Sequence, residues 1–139
     1  MAATAVARWE GTLDEGAGTV TTGAGLQDTY TKASRFADGT GTNPEELIGA
    51  AHAACFSQFL ASLLSKNGTP PASIETTAKV SITVGADGPT IDRIGLSTVI
   101  DADLSIEQIT DLANQAKAEC PVSKALAGVA DVRLDVSKA

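Results

Sequence analysis

An unusually apolar stretch runs from Leu47 to Leu64, with Ala, Ile, Leu and Phe on nearly all faces of a helical projection. Apolarity all round predicts a helix buried at the centre of a protein, not one lying on its surface. The start of that helix is well marked. Asn43 suits the N-cap, Pro44 the first helical position, and Glu46 falls at the third. The Asn43/Glu46 spacing resembles a capping box with Asn in place of Ser or Thr. Glu45 and Glu46 also favour the positive end of the helix dipole. The helix should run to about Lys66, where Asn67-Gly68 ends it and Pro70-Pro71 prevents continuation.

Elsewhere the pattern changes to period two. Ala5 to Leu13 reads as a strand with Trp9 as its bulky member, Gly16-Ala17-Gly18 as a turn, and Thr19 to Thr22 as a short second strand. Gly23 to Thr42 is rich in Gly, Thr and Asp, and reads as loop with a brief extended piece around Tyr30 to Phe36. Ile74, Ala78, Val80, Ile82 and Val84 share one face of a strand. Asp87-Gly88-Pro89 is its turn, and Ile94, Leu96, Thr98 and Ile100 mark the partner strand. Ser105 caps a second helix, with Ile106, Ile109, Leu112, Ala113 and Ala116 at helical spacing, ending near Glu119. Pro121 to Ala127 forms a short third helix with Cys120 at its N-cap, and Val132, Leu134 and Val136 alternate in a last strand. Strand pairs, a helix, a hairpin, helices and a strand make an α+β domain. With 139 residues and neither linker nor repeat, residues 1–139 are expected to form a single domain.

Charge narrows the partners. Seventeen acidic against ten basic residues give a net charge of -7. Nucleic acid and anionic membrane both want Lys/Arg clusters, so neither is an expected partner. The Leu47–Leu64 run approaches the roughly 20 residues of a spanning segment. His52, Ser57, Gln58 and Ser62 interrupt it, however, and it is rich in small Ala, which favours the core of a soluble protein. The N-terminal residues carry no cationic region and no sustained apolar core of a secretory signal, so the expected location is the cytoplasm. Stable structural disulfides are rare there, and a Cys pair is more often catalytic or redox-active.

The chain has two cysteines, Cys55 and Cys120. The thiolate is the reactive form, and a free Cys has a pKa of about 8.5, so a reactive site must favour ionisation. Cys120 precedes Pro121 at the start of the short helix, whose N-terminal end can help. Cys55 lies in mid-helix and needs a nearby cation. Lys66 is eleven residues further on, about 16 Å along the axis at 1.5 Å per residue, and out of reach. Arg35, in the loop before the helix, is the better candidate. His52, three residues before Cys55, reads as a base, as half of a metal site, or as a satisfied core histidine. Two other readings stand beside redox chemistry: two inert buried thiols, and a zinc site on His52, Cys55 and Cys120 that lacks a fourth ligand without a carboxylate or water.

The segment from Gly41 to Ser57, GTNPEELIGAAHAACFS, resembles the signature of the OsmC/Ohr peroxidases. Ala116 to Ser123, AKAECPVS, resembles their second cysteine motif. Trp9-Glu10-Gly11 and Ser34-Arg35-Phe36 match further family positions. The Glu45-Glu46 pair, the Ala-His-Ala segment and the placement of Arg35 bring the chain closer to the OsmC branch, with Ser34 where Thr is expected. The resemblance implies antiparallel β-sheets packed around a long central helix in an intertwined homodimer with active sites at the subunit interface. It implies a thiol-dependent peroxidase acting on organic hydroperoxides, with no bound metal, flavin or haem. Cys55 would be the peroxidatic cysteine and Cys120 the resolving one. Arg35 would stabilise the Cys55 thiolate, and Glu45 would hold the arginine in position. A dithiol reductant, a lipoylated protein in this family, would close the cycle. The residues themselves also allow humbler roles: a dipole carboxylate for Glu45, a capping partner for Glu46, an exposed loop charge for Arg35. Glu45 and Cys55 are ten residues apart on one expected helix, about 15 Å of rise. If Glu45 and Arg35 serve Cys55, they most simply come from a second subunit.

Overall fold

The computed structural model describes every residue from Met1 to Ala139. The chain divides by its internal contacts into two compact units, Met1–Leu47 and Ile48–Ala139.

The first unit is an antiparallel meander followed by a short helix. Strands β1 (Ala5–Glu10), β2 (Ala17–Thr22) and β3 (Gln27–Tyr30) pair in the order β1-β2-β3. Strand β2 starts at Ala17, so Gly18 belongs to the sheet and not to the expected turn. Gly18 is paired with Trp9 on one side and Tyr30 on the other. The two rings meet at 5.4 Å between centroids. A Cβ on Gly18 would lie 2.4 Å from the Tyr30 ring, so the missing side chain is what admits the tyrosine.

The Tyr30–Phe36 segment is only partly extended. Tyr30 ends β3, and Lys32–Phe36 form helix α1. The Thr31 hydroxyl accepts the Ser34 N–H at 3.0 Å, and the Ser34 hydroxyl accepts the Thr31 N–H at 2.9 Å. This reciprocal cap satisfies two otherwise orphaned donors, which is enough to turn a Gly/Thr-rich segment helical for five residues.

Helix α2 runs from Pro44 to Lys66, as its start and stop residues predict. Asn43 Oδ1 accepts the Glu46 N–H at 2.9 Å. Glu46 does not complete the box; its carboxylate accepts the Thr42 hydroxyl at 3.0 Å. At the other end Gly68 takes a φ of +80°, and the Thr69 N–H reaches back to the Leu64 carbonyl at 3.0 Å.

The second unit holds the larger core. Strands β4 (Ser73–Gly85) and β5 (Gly88–Asp101) form the expected antiparallel hairpin. Helices α3 (Ile106–Glu119) and α4 (Pro121–Ala125) cross over to β6 (Asp131–Lys138). Antiparallel pairing holds for β1–β2–β3 and β4–β5, but β6 joins β5 in parallel, because a helical crossover returns the chain in the same direction. The β4–β5 register shifts between Ser81 and Ile82, where Asp92 is the additional residue on β5. Val84, near the hairpin turn, is exposed.

From the Ile48–Lys66 part of α2, His52, Phe56, Leu60 and Leu64 are fully buried at intervals of four. Phe56, Leu60 and Leu64 meet Ile94, Leu96 and Ile100 of β5 and Ile109, Ala113 and Ala116 of α3 in one core. Each of these large side chains contributes about 1.5–3 kcal/mol on leaving water. Gly49 permits the close approach of α2 to β4: a Cβ there would stand 3.3 Å from the Ala78 carbonyl oxygen. By length and composition alone α2 could cross a membrane, with a mean hydropathy of 1.6 over its most apolar eighteen residues. The fully buried His52 and the Phe56–Leu64 face pack into the second unit's core. The all-round burial expected from the sequence is not met within one chain, where Leu47, Ala50, Ala51 and Ala54 are exposed.

Candidate active site

Both thiols are free, with Cys55 half-buried and Cys120 buried. Cys55 sits in the middle of α2. Cys120 closes α3 and opens α4: its N–H donates to the Ala116 carbonyl, and its Sγ accepts the Ser123 N–H at 3.3 Å. That is the N-cap position expected from Cys120-Pro121, with sulfur in the place of the usual side-chain oxygen.

The two cysteines interact. Burial pushes the Cys55 thiol above its ordinary pKa, a hydrogen bond from the Val122 N–H pulls it down, and contact with the Cys120 side chain pushes it up again. Burial opposes a thiolate because it removes water, and a second sulfur opposes it by repulsion once both are charged. The net direction is upward, so at neutral pH the groups acting on Cys55 within this chain leave it mainly as thiol.

A histidine and a serine complete the surroundings. His52 Nε2 lies 2.8 Å from Ser123 Oγ, which in turn lies 3.1 Å from Cys120 Sγ. His52 Nδ1 is buried with no hydrogen-bond partner in the chain. Burial lowers the imidazole pKa, so His52 is neutral at pH 7. The zinc reading gains no support: His52, Cys55 and Cys120 do not form a ligand cluster, and the Nε2 of His52 is engaged by Ser123.

Arg35 and Glu45 form their own constellation in the first unit. Arg35 Nη2 donates to Glu45 Oε1 at 2.7 Å, and Nε donates to both carboxylate oxygens at 3.2 Å. Glu45 is buried, and the guanidinium lies over the Phe36 ring at 5.2 Å. Helix α1 presents Arg35 because Ser34 beside it is anchored: its hydroxyl reaches the Thr42 carbonyl at 2.7 Å, and Asn43 Nδ2 donates to the Ser34 carbonyl at 3.2 Å. Glu45 is therefore more than a dipole carboxylate and Arg35 more than a free loop charge. An apolar recess of about 310 Å³ opens beside the guanidinium, walled by Trp9, Leu13, Tyr30, Phe36 and Pro44.

Sequence reasoning picked out Cys55, Cys120, Arg35, Glu45 and His52, but missed Val122 and Ser123. A signal for Ser123 was present. A residue at an N-cap accepts from the amide two or three positions on, so placing Cys120 there points at Ser123.

A long helix carrying one thiol and a crossover carrying another in the second unit, with an Arg–Glu ion pair in the first, define a thiol-bearing α+β protein. The chain belongs to the OsmC-like protein family, whose model matches residues 37–135. Peroxiredoxin OsmC of Escherichia coli (strain K12) is 45% identical over 132 residues, covering 93% of this chain and 91% of that protein. The organic hydroperoxide resistance protein OhrB of Bacillus subtilis (strain 168) is 37% identical over 99 residues, covering 70% and 71%. Among solved structures, an organic hydroperoxide resistance protein OsmC from Legionella pneumophila superposes with a TM-score of 0.79 at 28% identity, over 96% of each chain. OhrB of Bacillus subtilis superposes with a TM-score of 0.72 at 30% identity, over 96% of this chain and 98% of that one.

Proposed function

We propose that this chain is a thiol-dependent peroxidase that reduces organic hydroperoxides to alcohols, with Cys55 as the attacking thiol and Cys120 as the resolving one. The activity follows from family membership and from the 45% identity to a peroxiredoxin over 93% of the chain. The observation that carries the division of labour is the contact between the two cysteines: Cys55 is half-buried, and Cys120 is buried and held as an N-cap.

The Cys55 thiolate attacks the distal oxygen of ROOH, the O–O bond breaks, and the alkoxide takes a proton to leave as an alcohol. Cys55 is left as a sulfenic acid. Cys120 sulfur then attacks that sulfur, the S–O bond breaks, and water leaves a Cys55–Cys120 disulfide. An external dithiol, such as a lipoylated protein, reduces it through a mixed disulfide. No bound cofactor enters the cycle. A cycle that starts from free thiols and needs a reduced dithiol suits the cytoplasm.

The upward push on the Cys55 pKa means that ionisation needs a cation. Arg35, held by Glu45, is the group proposed to supply it and to polarise the peroxide. Ten residues of continuous helix separate Glu45 from Cys55, about 15 Å of rise, which favours delivery from a second copy of the chain. The exposed surface of α2 supports a homodimer: only 28% of its most apolar window is buried in the single chain, and Leu47, Ala50, Ala51 and Ala54 are exposed. Cover by a second copy would bury that face. The apolar recess beside Arg35 would take the organic part of the peroxide. Helix α2 passes from one compact unit into the other without a break, which favours reading residues 1–139 as one OsmC-like domain.

The test is peroxide turnover with a dithiol, using tert-butyl, cumene and hydrogen peroxides, for wild type, Cys55→Ser and Cys120→Ser. Cys55→Ser should be inactive, Cys120→Ser should complete one oxidation and stop, and organic peroxides should show the higher kcat/KM. Full activity in Cys55→Ser would end the proposal.

A further inference from the structure

Helix α2 and the α3–α4 junction are tied by two parallel rungs. On α2, His52 and Cys55 stand three residues apart; at the junction, so do Cys120 and Ser123. One rung joins Cys55 to Cys120 and the Val122 N–H, the other joins His52 Nε2 to Ser123 Oγ at 2.8 Å. Ser123 belongs to both, because its hydroxyl also meets Cys120 Sγ at 3.1 Å and its N–H donates to the same sulfur at 3.3 Å. The peroxide-reducing step described above uses neither His52 nor Ser123.

A fully buried histidine in a hydrophobic core is costly unless its polar atoms are engaged. His52 is fully buried, and its contact with the protein's polar groups is through Nε2 alone, because Nδ1 has no partner in the chain. A packing role would be served as well by leucine and at lower cost. The arrangement instead forms a continuous path from sulfur to imidazole: Cys120 Sγ, Ser123 Oγ, His52 Nε2.

We propose that Ser123 and His52 form a proton relay serving Cys120 in the resolving step, with Ser123 as the catalytic hydroxyl at the reacting sulfur and His52 as the positioning residue behind it. The inference rests on the assignment of Cys120 as the resolving thiol.

The step balances as follows. Cys120 S–H gives its proton to Ser123 Oγ as the serine hydroxyl gives its own to His52 Nε2. The freed electron pair on Cys120 sulfur attacks the Cys55 sulfenic sulfur, the S–S bond forms and the S–O bond breaks. The departing hydroxide takes a proton from solvent and His52 gives the one it received back to solvent, so the sum is a disulfide and one water, with Ser123 and His52 unchanged. Cys55 is reduced from sulfenic acid to disulfide sulfur while Cys120 is oxidised from thiol, and no further oxidant or reductant enters. Ser123 N–H stabilises the transient thiolate directly, since donors to a charged sulfur favour that form. His52 is neutral, and in the tautomer that carries its proton on Nδ1 the Nε2 atom accepts from Ser123.

The experiment follows one turnover on the reduced, full-length protein. One equivalent of cumene hydroperoxide is mixed with wild type, Ser123→Ala, Ser123→Thr and His52→Gln. Quenched samples are read by mass spectrometry for dimedone-trapped sulfenic acid and for the Cys55–Cys120 disulfide. Gln at 52 keeps a hydrogen bond to Ser123 but cannot carry a proton. In Ser123→Ala and His52→Gln, sulfenic acid should accumulate and disulfide formation should slow by about 100-fold, the lower range of general acid–base contributions. Ser123→Thr, which keeps the hydroxyl, should restore rapid closure. Disulfide formation at the wild-type rate in either Ser123→Ala or His52→Gln overturns the relay. If His52→Gln does not fold, Ser123→Ala against Ser123→Thr decides alone. Wild type that forms no disulfide at all overturns the underlying thiol cycle, a result distinct from failure of the relay.

Discussion

Removing Arg35 should destabilise the protein more than neutralising Glu45, although the two residues share one interaction. The asymmetry comes from burial. The Glu45 side chain is 8% exposed and that of Arg35 is 35% exposed. Two unit charges about 4 Å apart attract by about 4 kcal/mol at an effective dielectric constant of 20, and desolvation takes back much of it. Arg35→Leu strands a carboxylate that has lost all three of its guanidinium hydrogen bonds and has little access to water. An uncompensated buried charge costs about 3–5 kcal/mol, and the partial exposure of this pair puts the loss at about 3. Glu45→Gln leaves a guanidinium that water can reach, and the amide oxygen can still accept from Nη2, so the loss should be about 1 kcal/mol. Urea unfolding of wild type, both single variants and the double variant closes the cycle. The double variant should lose less than the sum of the singles, because Leu and Gln together leave no buried charge. Equal losses for the two singles, or the reverse order, would refute the claim that Glu45 is the buried, dependent partner.

Two other outcomes follow from the second unit. Gly49→Val should destabilise by about 2 kcal/mol in urea, since a Cβ at this position already crowds the Ala78 carbonyl at 3.3 Å and that oxygen is fixed in the β4 backbone; unchanged stability would show that α2 can stand off the sheet. His52 has its pKa lowered in the fold, so below about 6.5 the unfolded chain takes up a proton that the folded one refuses, and stability is full above that pH and lost on acidification. Wild type should therefore lose stability more steeply than His52→Gln between pH 7 and 5, with the carboxylates common to both cancelling in the difference; parallel slopes would count against a neutral, buried imidazole.

The features legible in the sequence were those decided locally. Asn43-Pro44 fixed where α2 begins, alternation from Ile74 onward announced the hairpin, and Cys120-Pro121 announced an N-cap. What could not be read depended on partners distant in the chain. The parallel entry of β6 is set by how α3 and α4 travel, not by any property of Val132, Leu134 and Val136. Gly18 looked like turn punctuation because nothing nearby said that Tyr30 would lie across it. Helix α1 was missed for a different reason: the Gly, Thr and Asp content of the segment read as loop, and the Thr31/Ser34 cap that starts a five-residue helix went unread. At the candidate site, the titratable residues were visible by type. Ser123 was signalled only as the amide partner of a Cys120 N-cap; that its hydroxyl lies between a sulfur and an imidazole appears only once α4 is folded against α2.

The crossover that makes β6 parallel also sets an order of events during synthesis. Cys120 lies within that crossover, 65 residues after Cys55, and the strand that fastens the crossover to the sheet is made later still. At ribosomal rates of 5–20 residues per second the growing chain carries its first thiol for roughly 3–13 s before the second exists. On the proposed cycle, a nascent chain oxidised at Cys55 in that interval would have no Cys120 with which to form the disulfide, and a second peroxide molecule would take the sulfenic acid on to the irreversible sulfinic state.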